Sequence, residues 1–210
     1  MYTLYYWPGY CSFATHVVLR WIGAEYSLNK VDYEARQSEA YKRDINPSST
    51  VPVLVLPDGF VLSQNVAILN YLADTYPDAR LGGDGTTLDR ARVNRWLGYI
   101  NSDVHKVFSP LLHPERVPGN AEAQEATKEI ARQTLRRHFE ILNSQLETNE
   151  WIAGDQRSIA DPYLFVLVRW ARARKLDLSG LGHLLGHYQR LAEDRAVIDA
   201  MAAEKLKHIQ

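Results

Sequence analysis

Sulfur and long apolar runs are scarce in this chain, whose 210 residues include one cysteine and two methionines. A single cysteine closes no internal disulfide, so the composition does not imply an oxidising compartment. Cys11 is followed by Ser12-Phe13-Ala14, which excludes a Cys-x-x-Cys redox cycle within one chain. The longest strongly apolar run, 163–168, is far too short to span a bilayer. Neither sign of charge predominates, with 24 Lys and Arg against 25 Asp and Glu, so no electrostatic footprint for nucleic acid or a membrane surface is present. Met1-Tyr2-Thr3-Leu4 lacks the basic and apolar regions of a secretory signal, and a cytoplasmic setting is expected. The glycines at 82–85 are not followed by Gly-Lys-Ser/Thr, so they form no phosphate loop.

What is present divides into two textures. With 46% hydrophobic residues the chain can build a sizeable core. Residues 2–7 are rich in strand formers, Pro8-Gly9 breaks the run, and 12–21 reads as helix. Residues 27–31 form a second short strand, and the polar stretch 33–45 suits either a helix or an irregular loop. A run of strand formers at 51–56 turns at Pro57-Asp58-Gly59 into 60–62. A helix over 65–76 closes this half, its stripe supplied by Val66, Ile68, Leu69 and Leu72. The order β-α-β-(α)-β-β-α predicts a thioredoxin-like α/β domain over 1–80. Gly, Asp and Pro concentrate in 77–87, and 81–87 is taken as the linker. Residues 88–210 form an all-helical domain, with helices over 88–111, 121–148, 181–192 and 196–204. A further helix begins near Ser158-Ile159-Ala160-Asp161, where Ser158 and Asp161 approximate a capping box.

Four features carry chemistry. Cys11 lies at a strand-to-helix junction, where free N–H groups and the helix dipole favour a thiolate, although a buried cysteine packing as a small hydrophobe suits the same position. Val51-Pro52 opens a strand. A cis bond there would present the Val51 backbone to an extended peptide, while the residue types alone slightly favour an ordinary trans proline. At Ser63-Gln64-Asn65 a helix begins, with Asn65 able to cap it and Gln64 able to donate and accept; a plain cap with a solvated glutamine is the alternative. His105-Lys106 could stabilise a thiolate or could be a helix contact beside a surface lysine. His183 and His187 share a helix face but lack a third ligand, so no metal is assigned. Trp96, Trp151 and Trp170 read as packing residues, and His16 receives no catalytic role.

Taken together, Tyr6-Trp7-Pro8-Gly9-Tyr10-Cys11-Ser12, Asn46-Pro47, Val51-Pro52, Ser63-Gln64-Asn65, His105-Lys106, Trp151-Ile152-Ala153-Gly154 and 158–165 resemble the glutathione transferases, most closely the bacterial Beta class. The resemblance implies glutathione as co-substrate, no metal, and a homodimer. It implies catalytic roles for Cys11, His105 and Lys106. Val51 would pair with the cysteinyl part of glutathione with Pro52 in cis, Gln64 and Asn65 would hold the γ-glutamyl end, and Arg36 the glycyl carboxylate. Ser102 and Asp103 match further tripeptide contacts, the acidic one reaching in from a second subunit. Gln64 departs from the usual glutamate, and Gly98 from a usual asparagine. Phe108 and Leu112 are candidates for the wall of an electrophile pocket, and Phe108 and Leu112 suit the core equally well. The implied activity is conjugation to small hydrophobic electrophiles, with thiol–disulfide exchange through Cys11 also open. The alternatives are a glutathione-dependent disulfide reductase or dehalogenase, and a regulatory or interaction protein that no longer binds glutathione.

Overall fold

The computed structural model describes residues 1–207 and 209. Strand β1 (Tyr2–Tyr6) sits inside a four-stranded sheet of order β2-β1-β3-β4. Its partners are β2 (Tyr26–Lys30), which runs parallel, and β3 (Val53–Val55), which runs antiparallel with Leu4 opposite Leu54. At the far edge β4 (Val61–Ser63) pairs antiparallel with β3. Alternation along β1 buries Tyr2, Leu4 and Tyr6 on one face, as a period of two requires. Between β3 and β4 the expected turn forms: Gly59 adopts φ 90, and the Leu56 N–H donates to Phe60 C=O at 2.8 Å. The ladder at β3 is shorter than the strand-forming run from Val51 suggests.

Helices α1 (Ser12–Trp21) and α4 (Asn65–Thr75) cover the sheet with fully buried Val17, Val18, Leu19, Ile68, Leu69 and Leu72. The ambiguous polar stretch resolves into two short helices, α2 (Tyr33–Gln37) and α3 (Glu39–Asp44). Asp32 and Ser38 start them by accepting the N–H groups of Ala35 and Tyr41.

The long helix expected over 88–111 is broken. Helix α5 spans Thr87–Tyr99, a π turn follows at Ile100–Val104, and a 3-10 segment at His105–Phe108 leads into α6 (Ser109–Leu112). Such changes of helical pitch re-aim side chains and recur at functional sites. Beyond it, α7 (Ala121–Glu147) lines one side of the helical half through Leu135, Phe139 and Leu142. Helix α8 (Asp161–Ala173) is buried along most of its length, with α9 (Gly182–Ala192) and α10 (Arg195–Ala203) outside it. Its start is held by Asp161, whose carboxyl accepts the Ser158 N–H at 2.7 Å, the Ser158 hydroxyl at 2.9 Å and the Ile152 N–H at 2.9 Å. His187 Nε2 lies 2.8 Å from the same carboxyl, so the two histidines of the 183–187 segment serve different ends: His187 is buried on Asp161 and His183 is exposed. Among the described residues no group of three or more His, Cys, Asp or Glu is disposed to hold a metal ion, and no helix is long and apolar enough to cross a membrane.

The two halves interlock around α1. Phe13 stacks on Phe165 of α8 with ring centroids 6.0 Å apart, and the Trp21 indole N–H donates to Asp194 at 3.0 Å. His16, fully buried on the same helix, bridges Glu204 and the Tyr26 hydroxyl at 2.9 and 3.0 Å.

Candidate active site

The turn between β1 and α1 is fixed from the helical half. Gly9 adopts φ 72, a conformation that only glycine reaches freely, and a Cβ there would meet Arg169 at 3.1 Å and Leu206 at 3.2 Å. Its N–H donates to Glu204 Oε2 and its C=O accepts the Trp170 indole N–H, both at 2.8 Å. Two residues on, Cys11 occupies the cap position of α1. The Asn65 amide donates to the Cys11 C=O at 3.1 Å and accepts the Thr15 hydroxyl at 2.9 Å.

Cys11 is 8% exposed, and its thiol donates to the Val51 C=O at 3.4 Å. Burial pushes this thiol up to about 12, against the pull of the Cys11 and Ser12 N–H groups and of Arg36. The expectation of a resting thiolate is thereby corrected: the helix start is present, but desolvation outweighs it. The thiol is nevertheless not sealed in hydrocarbon. It borders a cavity of about 250 Å³ between the halves, together with Tyr10, Arg36, Thr50, Val51, His105, Leu112 and Trp170. Ser109, His113 and Arg116 complete the rim from α6 and the loop after it.

The loop that presents Val51 is held from several sides. Asn46 and the Tyr41 hydroxyl both donate to the Thr50 C=O, at 3.0 and 2.9 Å, while Arg36 donates to the Ser49 C=O at 2.9 Å. The Val51-Pro52 bond is cis, the alternative that its residue types alone disfavour. The Arg36 guanidinium lies 4.4 Å from the Trp7 ring centroid, and its Nε is buried without a partner.

His105 faces the cavity from the 3-10 segment. Its Nδ1 is 2.6 Å from the Tyr163 hydroxyl, which itself donates to Asn101 Oδ1 at 3.0 Å. With the hydroxyl proton engaged by Asn101, Nδ1 carries the proton that Tyr163 accepts, and Nε2 is left with its lone pair. Burial lowers this imidazole to about 4, so it is neutral near pH 7. It is therefore an acceptor toward the cavity, where the sequence suggested a donor to a thiolate.

Other expected residues fall differently. Lys106 is exposed and does not line the cavity. Phe108 is fully buried, 5.4 Å from Trp170 and 6.3 Å from Phe139 between ring centroids, so it belongs to the core, while Leu112 does line the cavity. The Asn65 side chain is spent on Thr15 and Cys11 and has become a brace for the turn. The cap of α4 is instead Gln64, exposed and at φ 74, a backbone state that costs energy outside glycine and clusters at ligand sites. Ser102 and Asp103 are exposed and hydrogen-bonded to each other at 2.6 Å. Sequence reasoning missed Tyr10, His113, Arg116 and the cleft role of Trp170. Only the His113-Pro114-Glu115-Arg116 charge cluster gave any local signal.

Two family models match: the glutathione S-transferase N-terminal domain over residues 10–75 and the C-terminal domain over 99–194. Glutathione S-transferase GST-4.5 of Xanthomonas campestris pv. campestris is 43% identical over 203 residues, covering 97% of this chain and 98% of that protein. Among solved structures, a glutathione-S-transferase from Xylella fastidiosa superposes with a TM-score of 0.94 at 38% identity, covering 99% of this chain and all of the other. A sphingomonad glutathione S-transferase complexed with glutathione gives 0.85 at 34% identity, covering 98% and 100%.

Proposed function

The chain belongs to the glutathione S-transferase family, and on that premise we propose that its cleft binds glutathione and joins it to a small electrophile with an apolar body. One observation carries the reading: Cys11 and Arg36 border the same cavity, sulfur beside the point of reaction and a guanidinium, without an acidic partner among the described residues, where a glycyl carboxylate would lie. Val51 offers backbone to the cysteinyl segment, and Gln64 faces the γ-glutamyl end from the start of α4. The exposed Ser102 and Asp103 suit a contact made across a homodimer, in a cytoplasmic setting.

The protonation states favour a particular division of labour. A Cys11 thiol held near 12 is a hydrogen-bond donor at neutral pH, suited to steadying the glutathione sulfur as it loses its proton. His105 Nε2 would accept a hydrogen bond from a thiol bound in the same cleft. The glutathione sulfur then forms a bond to the electrophilic carbon, the leaving group departs with the electron pair of its own bond, and the thiol proton passes to solvent. Covalent turnover needs Cys11 to ionise first: its thiolate would attack a disulfide, releasing the other sulfur as thiolate with the broken bond's electrons. The raised thiol weighs against that route.

Titration calorimetry with reduced glutathione tests the binding step, and conjugation by Cys11→Ala tests the division of labour. Binding at millimolar glutathione and conjugation within about tenfold of the parent are expected, the lost term being one hydrogen bond. Failure to bind millimolar glutathione overturns the reading. Binding with abolished conjugation moves Cys11 into a covalent role.

A further inference from the structure

The lining wall of the cleft has more positive charge than one glutathione explains. Arg36 and Arg116 both border the cavity, and His113 lies between Leu112 and the Arg116 loop. Among the described residues no carboxylate borders it. Among the described residues Arg36 forms no ion pair; one terminal nitrogen donates to the Ser49 C=O and its face lies on Trp7. Among the described residues Arg116 pairs only with Glu115, at 3.7 Å between groups more than half exposed, and the same carboxylate lies 3.3 Å from His113. An exposed pair of that kind neutralises little. Burial first, and then the nearby Arg116, disfavour the charge on Arg36. Like charges brought together beside a cavity are satisfied by an anion entering it.

Glutathione supplies one such anion. Its γ-glutamyl end carries a carboxylate and an ammonium that cancel, so the glycyl carboxylate on Arg36 is its only net charge toward this wall. Arg116 and His113 remain, next to the apolar surfaces of Leu112 and Trp170.

We propose that the second substrate of this cleft is an anionic electrophile, an aromatic or unsaturated compound whose ring packs on Leu112 and Trp170 while its carboxylate meets Arg116 and His113. This rests on the glutathione-binding reading above and narrows it. For an aryl chloride the step balances as written there: sulfur bonds to the ring carbon, chloride leaves with its bonding pair, and the thiol proton goes to solvent.

The test pairs 1-chloro-2,4-dinitrobenzene with 4-chloro-3,5-dinitrobenzoate, each kcat/KM divided by the uncatalysed rate with glutathione. The parent protein is expected to favour the benzoate. Arg116→Leu should lower the benzoate-to-neutral ratio about tenfold, Arg116→Glu further, and raising ionic strength from about 0.05 to about 0.5 M should erode the parent's preference. His113→Gln should lower the ratio less. A ratio unchanged by all three variants and by salt overturns the proposal while leaving the transferase reading intact. No turnover of either compound together with no calorimetric glutathione binding overturns both.

Discussion

Glu204 Oε2 accepts the Gly9 N–H at 2.8 Å across 195 positions of sequence, tying the end of α10 to the turn that carries Cys11. The other oxygen of that carboxyl meets His16 Nδ1 at 2.9 Å, and all three groups are buried. Truncation leaves a backbone donor and an imidazole without partners in the interior, where each orphaned group costs on the order of 1–3 kcal/mol. Glu204→Ala should therefore lose roughly 2–5 kcal/mol in urea unfolding, and Glu204→Gln, which keeps one acceptor, clearly less. Equal stability of Glu204→Ala and the parent would remove the clamp from the account.

Alkylation reads the state of Cys11 directly. With its thiol held near 12, iodoacetamide should react far more slowly at pH 7 than with free cysteine, and the rate should still be rising above pH 9. Because folding raises this acid above its ordinary value, its protonated form contributes no penalty at neutral pH, and stability declines only as pH climbs past the ordinary thiol range. An inflection below pH 8 would show that the helix start prevails over burial after all.

His105 gives the opposite slope. Its folded value near 4 lies below the ordinary 6.5, so an unfolded chain binds a proton there that the folded protein refuses. Nothing is lost above pH 6.5. Between 6.5 and 4 stability falls, by on the order of 3 kcal/mol in all. His105→Gln should flatten that part of the pH–stability curve relative to the parent, and parallel curves for the two proteins would contradict the assignment.

Asp161 holds two backbone N–H groups, one hydroxyl and His187 with a single buried carboxyl. Asp161→Ala orphans all four in the interior, so roughly 4 kcal/mol or more should be lost, sufficient to leave little folded protein at 37 °C. Asp161→Asn keeps the size and one acceptor and should retain the fold at reduced stability. Near-parent unfolding midpoints for Asp161→Ala would count against this carboxyl as the anchor of α8.

Features written in neighbouring residues were legible before the coordinates. Pro8-Gly9 ends β1, Pro57-Asp58-Gly59 turns β3 into β4, and the stripe of Ile68, Leu69 and Leu72 faces the sheet as its spacing requires. Cys11 at the junction was visible for the same reason. What was not visible depends on partners far along the chain. The dipole argument for Cys11 is local, but the burial that defeats it comes from residues distant in sequence, Val51 among them. Helical periodicity continues through 88–111, yet the π turn at Ile100–Val104 re-aims His105 toward Tyr163 and Phe108 toward Phe139. Nothing in the neighbours of Asn65 reveals that Thr15 and Cys11 already engage its amide, so sequence alone points it toward a ligand.

The Gly9 contact also sets an order of events at the ribosome. Synthesis delivers the cysteine-bearing loop 195 positions before the acid that pins it and 161 before the α8 indole that grips the other side of that glycine. Until both have been made, the loop lacks the buried partners that fix it in the finished protein.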